Sequence, residues 1–385
     1  MQLSPLVSVI IPAYNASSFI GQTLESVLSQ TYKNIEVLVV DDGSRDKTPE
    51  IVKSFAQRDR RVMLLQQPNQ GVAAARNLAI AHSGGEYIAP VDADDIWYPL
   101  KLEKQVQCMT AADASVGLVY CWYTWIDEQG LIIGKYQDYD IDKPEGNIYA
   151  ALVYRNFVGH ASSPMMRRSC LDKVGGYNCK LKENNAQGCE DWDIYLRIAE
   201  SYAFALVPEF LVGYRQFAGS MSNNSRSMAK SYDLVMAQSQ QRHREIPSSV
   251  YKWSRSYFYN YLLGKSLACG DHWSSLVYLF NALQSDGMLL LRSKSYRFLI
   301  GSIVKLAAKP LTSLLWQNHE SWLQFKQQFG SNRSLEQQQK MTIAEINQEV
   351  DKRERLVSPY DKVLLQRWFQ VMQLCQEERF SEAVR

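Results

Sequence analysis

Acidic side chains at two points of the 385-residue chain are spaced for chemistry. In Asp92-Ala93-Asp94 the two carboxylates stand one residue apart, so a turn can aim both at one point. Hard cations such as Mg²⁺ and Mn²⁺ prefer carboxylate oxygens and are often shared with a substrate's phosphates. The same spacing also occurs in plain surface turns. Asp41-Asp42-Gly43-Ser44 reads in two ways: as a turn, where Asp and Gly are common, or as a carboxylate accepting hydrogen bonds from a nucleobase or ribose. Position separates these acids from scattered polar turns. Each group directly follows a short β-branched run, and ligands of open α/β sheets bind in the crevice beyond the carboxyl ends of the strands.

The elements that must hold the acids are legible from hydrophobic patterning. Continuous apolar runs predict buried strands over Val7–Ile11, Ile35–Val40, Val62–Leu65 and Tyr87–Val91. Between them, apolar residues at Ile20, Leu24, Val27 and Leu28 predict a helix, Thr48 and Pro49 predict the start of a second, and Gly71–His82 reads as a third. This alternation is that of an α/β domain. Further on, Leu118–Ile126 and Ala203–Val207 read as strands and Asp191–Glu200 as a helix. Beyond about 225 the character turns helical, with 257–268 and 272–283 forming an antiparallel pair around Cys269-Gly270-Asp271. Residues 331–385, rich in Gln, Glu, Lys and Arg, suggest exposed helices. The organisation expected is therefore residues 1–225, split near 100, followed by a helical region over 226–385.

Composition narrows the class. A hydrophobic content of 46% and a net charge of +2 describe a globular chain without the basic field of a nucleic-acid binder. Seven scattered cysteines with no C-x-x-C pair point to reduced thiols and a cytoplasmic setting. Residues 1–15 lack the pattern of a signal peptide, and no window has the apolar length of a spanning helix. Gly264-Lys265-Ser266 matches the end of a phosphate-binding loop, but Tyr259 stands where its first glycine is required.

Four segments taken in order carry a resemblance: Val7–Asn15 (VSVIIPAYN), Asp41-Asp42-Gly43-Ser44, Gly71–Asn77 (GVAAARN) and Asp92-Ala93-Asp94-Asp95. Over residues 5–222 the chain strongly resembles family 2 glycosyltransferases. That resemblance implies the GT-A fold, a mixed, mostly parallel sheet flanked by helices, and sugar transfer with inversion from a nucleotide-diphosphate sugar. UDP is the default base, with dTDP and GDP as alternatives, and Mn²⁺ or Mg²⁺ is the implied cofactor. It further implies that Pro12, Ala13 and Tyr14 line the nucleotide pocket, that Asp42 meets the uracil, and that Arg76 lies near the nucleotide. Asp92 becomes the ribose- or metal-facing acid and Asp94 the direct metal ligand, while Asp95 is either a further site acid or a helix cap. In Cys189-Glu190-Asp191-Trp192-Asp193 the resemblance makes Asp191 the general base, with Glu190 supporting the site. A carboxylate so placed typically contributes about 10²–10⁴-fold, and an acid at a helix start is equally a capping residue.

Two departures stand out. Where relatives often carry a histidine, the loop Tyr214-Arg215-Gln216-Phe217-Ala218-Gly219-Ser220-Met221-Ser222 has Phe217, which leaves Arg215 or the hydroxyls to serve the diphosphate. The stretch between Gly176 and Glu190 is long and polar, and is expected near the acceptor. Trp192, beside Asp191, is the aromatic chosen as an acceptor platform, although any of the site-side tryptophans also suits a core. His160 reads as a structural histidine. The acceptor is a saccharide or a lipid-linked saccharide. The mixture of Lys294, Arg297, Lys305 and Lys309 with apolar residues over 292–315 fits either a core helix or peripheral contact with the inner face of the cell membrane. Two other readings compete. A nucleotidyltransferase would need a Gly- and basic-rich loop that Val7–Asn15 lacks, and a degenerate relative would bind a nucleotide sugar without transferring it.

Overall fold

A computed structural model of the chain describes residues 4–135, 144–217, 219–312 and 358–382. The β-branched runs form strands as expected: β1 Val7–Ala13, β2 Ile35–Asp41, β3 Val62–Gln66 and β4 Tyr87–Pro90. They lie parallel in the order β3-β2-β1-β4; Ala13, Asp41 and Gln66 end level at one edge, and β4 stops slightly short of it with Pro90 opposite Ile10. Helices α1 Ile20–Leu28, α2 Thr48–Arg58 and α3 Val72–His82 connect them. Thr48 is the first helical residue of α2 rather than its cap, and its amide donates to the Asp46 carboxylate at 3.0 Å.

The second half of the sheet is mixed. After β5 Ile96–Trp97 and α4 Lys101–Ala111 come β6 Val116–Ile126, β7 Ile132–Lys135, α5 Tyr149–Tyr154, β8 Met165–Arg167, α6 Arg168–Val174, α7 Lys180–Glu183, α8 Glu190–Ala199 and β9 Ala203–Arg215. The sheet continues from β4 through β8, β6 and β9 to β5, and β7 hangs off β6. β8 joins the parallel half through antiparallel pairing with β4, while β6 and β9 run parallel to each other. β9 is thirteen residues long, well beyond the Ala203–Val207 expected.

Helices α9 Ser225–Arg242, α10 Ser248–Ala268, α11 His272–Ser285, α12 Ser293–Thr312 and α13 Pro359–Glu382 follow. Their inner faces are continuous with one face of the sheet. A single hydrophobic cluster runs from Ile10 and Leu38 through Leu152 and Trp192 to Tyr232, Phe258 and Trp368. A second cluster, on the other face, holds Val9, Val37, Leu24, Val52 and Leu102. The exposed helices expected over 331–385 fall in part outside the described residues. Within the described part, α13 is not free-standing, since Trp368 packs on Tyr154 and Phe157, and Arg367 pairs with Asp286 at 2.5 Å. Among the described residues no helix is long and apolar enough to cross a membrane.

Candidate active site

The acids sit at the shared strand edge. Asp92–Asp95 form the turn leaving β4, and side chains from three distant segments fasten it. From α1, the Thr23 hydroxyl contacts the carbonyls of Ala93 and Asp95 at 2.9 and 2.8 Å. The Ser162 hydroxyl accepts from the Asp92 amide at 3.0 Å and donates to the Asp95 carboxylate at 2.5 Å. From the end of β9, the Arg215 amide donates to the other Asp95 oxygen at 2.9 Å. Asp95 is fully buried, and burial first and Asp92 second push its carboxyl up to about 8. This inward acid therefore shapes the turn.

Asp92 and Asp94 are partly exposed. One Asp92 oxygen is taken by the Arg76 guanidinium at 2.5 Å, leaving its other oxygen for a ligand. The Asp94 carboxylate has no cationic side chain within ion-pair distance among the described residues. Burial, Asp95 and Asp92 together raise it well above the usual carboxylate range. Three crowded carboxylates share two guanidinium groups, Arg76 and Arg215, so the site is still short of positive charge, which suits a divalent cation. Among the described residues no group of three or more His, Cys, Asp or Glu is arranged to hold a metal by itself. Asp94 and the free oxygen of Asp92 fit the sparser mode in which water and substrate phosphates complete the shell.

Arg76, on α3, ties this corner to the second half of the domain. It is 4% exposed and lies 5.1 Å from the centre of the Tyr177 ring. Burial alone would lower its pKa, but Asp92, Tyr177 and Asp191 outweigh that and raise it. Its Nε and the Tyr177 hydroxyl are buried without hydrogen-bond partners. Asp191 lies in the first turn of α8, its oxygen accepting from the Trp192 amide at 2.7 Å. Burial pushes the Asp191 carboxyl up to about 7; Arg76 and the Trp192 amide oppose the rise, while Glu190 and Asp92 add to it. Glu190 is buried with one oxygen accepting from the Gly188 amide at 2.8 Å, and burial raises it as well.

At the end of β1, Tyr14 is exposed beside partly buried Pro12 and buried Ala13. Asp42 faces inward. It accepts from Gln67 Nε2 and the Gln70 amide at 2.7 Å each and from the Gly71 amide at 2.8 Å. Of about four lone-pair directions on a carboxylate, three are thus spent holding the loop into α3, leaving one for a base.

Two expectations, for Trp192 and Arg215, are corrected. Trp192 is 3% exposed, packs on Tyr232 and Phe258 and donates its indole N–H to the Leu152 carbonyl at 2.9 Å, so it offers no face to a sugar. Arg215 is committed to the protein: it donates to the carbonyls of Asp94, Asp127 and Glu128 and to Gln22, and covers the Phe19 ring. It is a strut under the acid turn, not a diphosphate ligand, while Phe217 packs on Phe19 with ring centres 5.0 Å apart. The polar stretch before Glu190 touches the loop into α3, where Lys182 donates to the Asn69 carbonyl at 3.0 Å. His160 is stacked on Tyr214 with its Nδ1 3.5 Å from Asp95. Ser162 and Tyr177 went unnoticed in the sequence. Nothing local marks them, because their partners lie 67 or more positions away, at Asp95, Asp92 and Arg76.

Comparison with known proteins agrees with this architecture. Residues 8–175 match the family described as glycosyl transferase family 2. An uncharacterised glycosyltransferase of Methanocaldococcus jannaschii is 34% identical over 217 residues, 55% of this chain and 71% of that protein. Another, from Rickettsia typhi, is 29% identical over 235 residues, 60% of this chain and 70% of its own length. Among solved structures, the mannosyltransferase PcManGT of Pyrobaculum calidifontis, determined with GDP-Man and Mn²⁺, superposes with a TM-score of 0.50 at 21% identity, covering 83% of this chain and 84% of that one. The fold is that of the GT-A glycosyltransferases. The chain belongs to glycosyltransferase family 2 and is a sugar-transferring enzyme.

Proposed function

We propose that the protein transfers a sugar with inversion from a nucleotide-diphosphate donor to a hydroxyl of a saccharide or lipid-linked saccharide, with Asp191 as general base. The observation that carries this reading is Arg76, which pairs with Asp92 while its charge is felt by Asp191. Metal acids and base thereby belong to one charge network. Asp191, held near neutrality, is matched to taking a proton at working pH. As the acceptor oxygen bonds to the anomeric carbon, its proton passes to the Asp191 carboxylate, and the bond from that carbon to the diphosphate oxygen breaks on the opposite side. Asp94 and the free oxygen of Asp92 would hold Mn²⁺ or Mg²⁺, which when bound stabilises charge on the leaving diphosphate. Tyr14, Pro12, Ala13 and Asp42 would receive the nucleotide. The GDP-Man and Mn²⁺ bound to the Pyrobaculum enzyme accord with such a donor and metal. UDP remains the default base, and dTDP and GDP belong in the test. The same reading divides the chain at about 225 into a catalytic part and a helical part. It places the protein in the cytoplasm, touching the inner face of the membrane through its helical end.

The test is a thermal-shift panel of UDP-, dTDP- and GDP-sugars with and without Mn²⁺, on wild type and Asp94→Ala. A ligand at about 100-fold its Kd stabilises by roughly 2.7 kcal/mol. A metal-dependent shift with one nucleotide family, absent in Asp94→Ala, is expected, followed by transfer to give the opposite anomer by NMR. No shift with any nucleotide sugar would overturn the donor reading. A shift without transfer to any acceptor would favour the degenerate binder, the reading that Phe217 in the metal-side loop favours.

A further inference from the structure

The outer face of the helical end is apolar and uncovered among the described residues. Along α11, Trp273 and Phe280 point outward and are 64% and 61% exposed, while Tyr278, Leu279 and Ala282 on the opposite side enter the core. Leu291 in the turn before α12, and Ile300, Ile303 and Val304 on α12, continue the surface, each at least half exposed. Scattered exposed apolar residues are ordinary, but several of them on two helices packed on each other point to a contact surface.

Charge selects the occupant. Between His272 and Thr312 the chain carries Arg292, Lys294, Arg297, Lys305 and Lys309 against one acid, Asp286. That acid is already neutralised by Arg367 at 2.5 Å. Lys294, Arg297 and Lys305 are exposed on the helix that bears Ile300 and Ile303. An isologous dimer through this face would set like charges against each other. Among the described residues no helix is long and apolar enough to span a bilayer, but an apolar face edged with basic residues suits a helix lying in the headgroup plane. Trp273 and Tyr296 are residue types that favour that interface.

We infer that α11, the Gly287–Leu291 turn and α12 form one platform that docks on an anionic lipid bilayer. The inference rests on the peripheral association proposed above and not on sugar transfer. The platform is fixed to the catalytic half, since Tyr278 of α11 and Ser266 of α10 both contact the Ser225 hydroxyl at 3.2 Å. Lys265 of α10 also reaches Gln216, next to Arg215, at 3.5 Å.

The test is co-sedimentation of the full chain with vesicles of phosphatidylcholine alone or mixed with phosphatidylglycerol. Variants are Phe280→Glu with Ile303→Glu, and Lys294→Gln with Arg297→Gln and Lys305→Gln. Their melting temperatures and donor-induced thermal shifts are read in parallel, so failure to dock is distinguishable from failure of the donor site. Binding to the anionic vesicles, weakened by salt, is expected. The apolar pair should abolish it, and the triple charge variant should weaken it roughly a hundredfold, from about 1 kcal/mol per basic residue near such a surface. Equal binding to both vesicle types, or binding unaffected by either variant set, would overturn the inference. So would a dimer that the apolar pair dissolves, or a monomer inert to lipid, which would mean the face is covered within the chain.

Discussion

Replacing Asp191 with Asn separates the base from the helix cap because the two roles move stability in opposite directions. In the folded protein the carboxyl is raised from 3.8 to about 7, chiefly by burial. Folding thus favours the protonated form, and stability should fall as pH rises from about 4 through about 7, with the whole cost present above that. A shift of that size corresponds to about 4 kcal/mol of disfavoured charge. That is a ceiling, because Asp191 is partly exposed and water screens it, so about 1–2 kcal/mol is the working expectation. Asn keeps the shape without the charge. Asp191→Asn should therefore melt higher than wild type above neutrality and at the same temperature near pH 4. Its transfer rate should fall by about 10²–10⁴-fold with donor KM unchanged. In wild type, kcat/KM should rise with pH to a plateau above about 7, and the variant's residual rate should lack that limb. Initial rates across pH, with melting curves in the same buffers, provide both readouts. A variant that keeps its rate, or that melts lower above neutrality, would show that Asp191 is only a cap and would refute the assignment.

Arg76→Gln removes the positive charge that restrains Asp191, so the acid limb of kcat/KM should move to higher pH; an unchanged limb would disconnect the two residues. It also leaves Asp92 unpaired, for a loss of about 3 kcal/mol or less in a melt, since Asp92 is partly exposed. Asp94→Asn relieves the crowding of three carboxylates, and should raise the melting temperature without metal while abolishing the shift produced by Mn²⁺. Arg215→Met strips three carbonyls and Gln22 of a fully buried donor, and should cost about 3 kcal/mol or more by denaturant unfolding. Trp192→Phe should lower stability by about 1–3 kcal/mol while leaving acceptor KM unchanged, which would separate packing from recognition.

The parallel half of the sheet was legible because its strands are buried on both faces and read as unbroken β-branched runs, Val7–Ile11 and Ile35–Val40 above all. The mixed half was not. β8 is three residues long and β5 two, too short for any periodicity. β9 continues through Pro208 and Glu209, which look like a strand end. At the site, acids following buried strands were found from pattern alone. Their inner partners Ser162, Tyr177 and Thr23 were not, since a lone hydroxyl has no sequence signature. Trp192 misled because it adjoins Asp191 in the chain, whereas neighbours on a helix do not share a face. With Asp191 near Arg76, Trp192 is turned into the core.

The strut under the acid turn bears on the order in which the protein is made. Arg215 lies 121 positions beyond Asp94, and no nearer residue supplies its contacts to Asp94, Asp95 and Gln22. The first four strands need only one another and can associate while the ribosome is still translating the middle of the chain. Thr23 and Ser162 can already hold the acid turn by then, but its Arg215 strut is missing until the end of β9 has emerged. Contacts of such long range are closed late, because the loop entropy is spent before they reward it. A nascent chain ending before Arg215 would thus carry the acids on a turn only partly braced, and its last strut would be acquired late in synthesis.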